Sequence, residues 1–116
     1  MVKRVKPIVG AHYGSRDWLL QRLTALVMAV YTVGFVACIV YHTPASQAEW
    51  QALFSRSIVR IPTMLFLAAL LYHAWVGMRD IVMDYVKPAG LRLALELGIA
   101  LVLLFYLIWS ASILWR

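Results

Sequence analysis

Long apolar runs separated by short polar breaks dominate the chain. The first uninterrupted run covers Leu23 to Tyr41, and with its flank it predicts a membrane helix from about Asp17 to Tyr41. About 20 residues at 1.5 Å each cover a 30 Å hydrocarbon core. A second span is expected from about Ile58 to Met83, with Pro62 in its first turns, where a proline is tolerated. A third runs from about Leu91 to Trp115, after the break Pro88-Ala89-Gly90. The segment from His42 to Ser57 is polar, contains Pro44 and reads as a loop. There is no repeat and no low-complexity segment. The expected fold is all-α, an integral membrane protein with three transmembrane helices forming a single domain over residues 1–116.

Composition supports this class. The chain is 64% hydrophobic with a mean hydropathy of +0.81, against about 45–50% apolar in ordinary soluble domains. Five Trp and six Tyr suit two membrane–water interfaces. A net charge of +6 would suit a nucleic-acid binder, but the basic residues gather at span ends. Topology and anionic headgroups account for them there. Lys3, Arg4, Lys6, Arg16, Arg22, Arg79, Lys87 and Arg92 fall at one end, and Arg56, Arg60 and Arg116 at the other, which together are the 11 Lys and Arg of the chain. The positive-inside rule then puts the N-terminus and the second loop in the cytoplasm and the C-terminus on the opposite side. Ser46-Gln47-Ala48 loosely resembles a signal cleavage site, but a signal core is about 7–15 apolar residues and this run is longer. The N-terminal segment also lacks an Arg/Ser-rich amphipathic transit pattern, which favours a bacterial inner membrane. The lone Cys38 lies in an apolar helix and reads as packing.

The chemistry concentrates on the second span. His73, Gly77, Asp80 and Asp84 share one face at i, i+4, i+7 and i+11. His73 stands about 16 Å above Asp84 at 1.5 Å per residue. An ionisable group inside a span is costly and marks a candidate site. For His73 two readings stand: a hydrogen bond to a neighbouring helix, or a cofactor or proton role, since histidine is a common axial ligand of haem iron. His12 precedes span one and His42 ends it, so a bis-histidine haem would need another subunit. Gly77 reads either as close helix packing or as room for a flat macrocycle. Arg22 is either an interfacial snorkelling arginine or a partner for an anionic group such as a haem propionate. Tyr85 can donate to a carbonyl oxygen, such as that of a quinone, and Asp84 can hold a cation or relay protons. The plainer reading of both is an interface-belt tyrosine and a solvated aspartate. Asp80 and Asp84 repel unless a cation such as Arg79 or Lys87 intervenes. Arg92 and Glu96 read as a structural i, i+4 pair, and Trp75 either lines a pocket or packs in the core.

The run HAWVGMRDIVMDYVKPAGLRL, with Arg22 in LLQRLTALVMAVY, resembles the hydrophobic membrane-anchor family of bacterial succinate dehydrogenase, succinate:quinone oxidoreductase. The resemblance covers nearly the whole chain. It implies that His73 is one axial ligand of haem b, the other coming from a sister membrane-anchor subunit, and that Arg22 contacts a haem propionate. It implies that Tyr85 hydrogen-bonds ubiquinone, with Asp84 supporting that site. It also implies an iron–sulfur subunit and a flavoprotein subunit as partners in the respiratory chain and the tricarboxylic acid cycle, in a complex that trimerises in some relatives. Catalysis would belong to that complex, and this chain alone would be no enzyme. Arg79-Asp80 and Arg16 depart from the enterobacterial pattern. The rival readings are a fumarate reductase anchor working with menaquinone, and a small transport or scaffold subunit using His73 and Asp84 as a proton relay.

Overall fold

The computed structural model describes residues 10–116, with side chains from residue 16 onward. Lys3, Arg4, Lys6 and the side chain of His12 lie outside the described residues. Four helices follow in order: α1 Gly10–His42, α2 Gln47–Ser55, α3 Ser57–Tyr85 and α4 Ala89–Leu114. The three long ones are apolar and long enough to cross a membrane. No strand occurs among the described residues.

The short helix α2 overturns the loop expected between spans one and two. Ser46 caps it, its hydroxyl accepting from the Glu49 amide at 3.2 Å. Glu49 in turn accepts from the amide of Ala45, one residue before the cap, a variant of the capping box. Leu53 is buried, Phe54 packs toward Phe35, and Trp50 stacks on Phe54. The single extended residue Arg56 caps the C-terminus of α2 and the N-terminus of α3, making a sharp corner into the second span.

Helix α3 is central, with α1, α2 and α4 each packed against it. Few residues are buried within the lone chain: Leu53, Thr63, Ala69, Val76 and Val82. The half-buried residues of α1 include Asp17, Gln21, Thr24, Met28, Tyr31, Phe35 and Cys38, spaced alternately four and three, with Leu20, Val27 and Ile39 beside them. That is the 3.5-residue seam of two packed helices. Leu19, Leu23, Leu26, Val30, Val33, Val36 and Val40 point outward and are exposed. Gln21, Thr24 and Tyr31, polar side chains within the span, thus turn toward α3, as expected where a bilayer leaves unpaired polar groups no water. Midway along the seam Tyr31 and Thr63 bond at 2.7 Å. The Thr63 proton goes to Val59 O at 2.7 Å, so the tyrosine donates. Tyr31 also stacks on Phe66 at 4.5 Å between centroids.

Charged side chains link the helices at both ends of the fold. Arg79 pairs with Asp17, joining the start of span one to the last turns of α3. At the other end the Arg60 guanidinium lies 5.3 Å from the Trp115 ring. Among the described residues Asp17–Arg79 is the one ion pair, so the expected Arg92–Glu96 pair does not form. An arginine N-terminal to its carboxylate is the weaker order on a helix.

Candidate functional site

The site lies between α1 and α3, at the end where Asp17 meets Arg79. A pocket of about 560 Å³ is lined by Asp17, Trp18, Gln21, Arg22, Ala25, His73, Val76 and Asp80. Two of the residues expected from the sequence, His73 and Arg22, therefore share one cavity. The i, i+7 stripe of α3 does face α1 here: His73 and Asp80 line the pocket, and Gly77 lies beside Gln21.

The His73 ring is held from α1 on both nitrogens. Nδ1 lies 3.1 Å from the Thr24 hydroxyl, and Nε2 lies 3.5 Å from the amide nitrogen of Gln21. The same amide donates to the His73 carbonyl at 3.4 Å. Gln21 Oε1 is buried and has no partner. The neighbouring-helix reading of His73 is thus realised, and it coexists with the pocket. Arg22 extends over the Trp18 ring at 5.3 Å, at the pocket wall.

Gly77 is not a point of forced contact. A Cβ built there meets nothing closer than Gln21 Nε2 at 4.0 Å. Asp80 is exposed at the pocket rim and Asp84 is exposed one turn beyond. Arg79, expected as a candidate cation between them, is committed to Asp17 instead. Tyr85 is 81% exposed at the last residue of α3. Neither Tyr85 nor Asp84 lines the pocket, and the indole lining it is Trp18, not Trp75. No group of three or more His, Cys, Asp or Glu side chains suited to a metal ion occurs among the described residues.

Asp17, Trp18, Gln21 and Thr24 were not singled out from the sequence. The signal was available: Asp17, Gln21 and Thr24 recur at i, i+4 and i+7, a polar stripe entering an apolar span. The test applied to α3 would have found its partner face on α1.

Comparison with known proteins follows the same line. Residues 2–109 match the family described as succinate dehydrogenase/fumarate reductase transmembrane subunit. A relative from Coxiella burnetii, a succinate dehydrogenase hydrophobic membrane anchor subunit, is 43% identical over 102 residues, covering 88% of this chain and 89% of its own. Proteins of the same description from Rickettsia bellii and Rickettsia felis are 29% and 30% identical, covering 86% and 85% of this chain and 80% of each of theirs.

Proposed function

Since the chain belongs to the succinate dehydrogenase/fumarate reductase transmembrane subunit family, we propose that it anchors a succinate:quinone oxidoreductase in the bacterial inner membrane and supplies half of a haem b site and part of a ubiquinone site. The observation carrying this reading is that His73 of α3 and Arg22 of α1, distant in sequence, line one pocket in the lone chain.

The donor set fits a haem. His73 offers an imidazole within the second span, the kind of ligand haem iron takes. Arg22 offers a guanidinium to carboxylates such as propionates. A metal on Nε2 would take the place of the long 3.5 Å contact from the Gln21 amide, which also reaches the His73 carbonyl at 3.4 Å. As the family resemblance implies, a second ligand would be supplied by a sister membrane-anchor subunit. When bound, such a haem supplies a one-electron carrier within the membrane. The residues of this chain would hold and orient it: His73 as ligand, Arg22 neutralising charge at the pocket wall, and the Asp17–Arg79 pair tying the two walls together.

Tyr85 and Asp84 stand exposed where α3 leaves the membrane, which suits a quinone pocket completed by other subunits. Tyr85 donates its phenolic hydrogen bond to a quinone carbonyl, and Asp84 supports the site electrostatically or as a proton path. The iron–sulfur and flavoprotein subunits dock at this end, which the positive-inside rule places in the cytoplasm together with the N-terminus. The family embraces fumarate reductases as well. The 43% identity to a succinate dehydrogenase anchor favours a succinate dehydrogenase complex over a fumarate reductase one.

The test is a reduced-minus-oxidised spectrum of the complex purified through this chain in mild detergent, for wild type and His73→Ala. A b-type haem signal is expected in the wild type and a sharply lowered haem content in the variant. Equal haem content in both removes His73 as ligand. No haem in a wild-type preparation that still carries its partner subunits refutes the haem site.

A further inference from the structure

The contacts around His73 determine which ring nitrogen carries its proton. The Thr24 hydroxyl has one hydrogen to donate. Its oxygen lies 2.8 Å from Leu20 O and 3.0 Å from Gln21 O, and a carbonyl only accepts. This is the usual back-bond of a threonine to its own helix. The same oxygen lies 3.1 Å from His73 Nδ1. With the hydroxyl proton engaged on the backbone, the contact to Nδ1 is a hydrogen bond only if Nδ1–H donates. A neutral imidazole carries one N–H, so Nε2 keeps its lone pair.

Gln21 gives an independent indication. Its amide nitrogen faces both the His73 carbonyl, at 3.4 Å, and Nε2, at 3.5 Å. An NH2 group satisfies two acceptors, whereas a protonated Nε2 would set donor against donor. Turning the amide over would set its oxygen against the His73 carbonyl oxygen. Both neighbours therefore favour the same tautomer.

We propose that Thr24 is a positioning residue for His73: it accepts the Nδ1–H hydrogen bond, fixes the ring orientation and tautomer, and so presents the Nε2 lone pair to the pocket as the ligating nitrogen. This rests on the reading of His73 as a haem ligand. Ligating histidines generally need such a partner on the second nitrogen, which raises their basicity. A more basic imidazole favours ferric over ferrous iron. Losing the acceptor therefore raises the haem midpoint potential.

Thr24→Val keeps the shape and removes the acceptor, while Thr24→Ser keeps it. In the purified complex, the valine variant should shift the ferric–ferrous equilibrium toward ferrous by up to about tenfold. That is about 59 mV upward for a one-electron couple. Its low-spin ferric electron paramagnetic resonance signal should shift as well. The serine variant should match the wild type on both readouts, with haem content preserved throughout. Thr24→Ala carries the comparison if the valine variant does not assemble, with the same shift expected. An unchanged potential and resonance signal in a haem-replete valine or alanine variant overturns the role of Thr24 and leaves the haem reading intact. A wild-type complex without haem overturns both, and the wild-type spectrum alone distinguishes that case.

Discussion

Breaking the Asp17–Arg79 ion pair should loosen α1 from α3, and Asp17→Asn should cost more than Arg79→Gln. The two side chains are 30% and 27% exposed, so the pair is neither a free surface contact nor a dry one. Two unit charges 4 Å apart attract by about 4 kcal/mol at an effective dielectric of about 20. Desolvation returns much of that. Fully exposed pairs retain about 0.2–1 kcal/mol, and losing one partner of a fully buried pair costs about 3–5 kcal/mol. A pair of intermediate exposure falls between these limits, with a coupling of about 1–2 kcal/mol.

The asymmetry comes from the surroundings. Arg79 Nε is already buried without a partner, so Asp17→Asn leaves the guanidinium without its carboxylate and should cost about 2–3 kcal/mol. Asp17 lines the open pocket, where water can solvate it after Arg79→Gln, and that change should cost about 1 kcal/mol. The assay is a double-mutant cycle on the full chain. Each variant is titrated from mild detergent into SDS while helix content is followed by circular dichroism. The double variant should be more stable than the sum of the two single losses implies. Single losses that add within about 0.3–0.5 kcal/mol would refute the reasoning, because that is the scatter of independent sites.

Two further outcomes follow from the geometry. Tyr85→Phe should weaken the apparent quinone affinity of the complex by up to about tenfold, the worth of one hydrogen bond, while sparing haem. An unchanged quinone-dependent rate and affinity removes Tyr85 from the site. Gly77→Ala should assemble normally and gain about 0.5 kcal/mol in the same SDS titration, since the added Cβ meets nothing within 4 Å except Gln21 Nε2 at 4.0 Å. A clear loss of stability would show that α1 and α3 close more tightly at this point.

The three long helices could be read from hydropathy because length and apolarity are local properties of the chain. Helix α2 could not be read that way, since Gln47–Ser55 is only 9 residues long, too short to register as a span. Its signal was instead the Ser46-x-x-Glu49 cap, visible in a search for helix starts rather than spans. His73 and Arg22 stood out as charge-bearing groups where charge is expensive. Thr24 and Gln21 did not, because each is unremarked singly and gains meaning only from the face it shares. Which helix that face meets is tertiary information, and no periodicity within α1 specifies α3 as its partner. Tyr85 and Asp84 illustrate the remaining gap: their contacts depend on surfaces that this chain does not supply.

The inward seam of α1 joins stability to function. In water a helix hides its apolar face, but here Asp17, Gln21, Thr24 and Tyr31 turn inward while many aliphatic residues, such as Leu23, Leu26, Val30 and Val33, stay exposed. Interhelical hydrogen bonds within a membrane contribute about 0.6 kcal/mol each on average, so no single one secures the packing. The seam holds through several together: Arg79 on Asp17, Gln21 and Thr24 on His73, and Tyr31 on Thr63. The two central contacts are also the ones that orient the imidazole. Changes at Gln21 or Thr24 should therefore move helix packing and ligand chemistry at once. Tyr31 and Thr63, two to three turns away along the same seam, should alter packing alone. A variant such as Tyr31→Phe is thus the proper control for Thr24→Val, because it removes a hydrogen bond between the same two helices without touching the ring of His73.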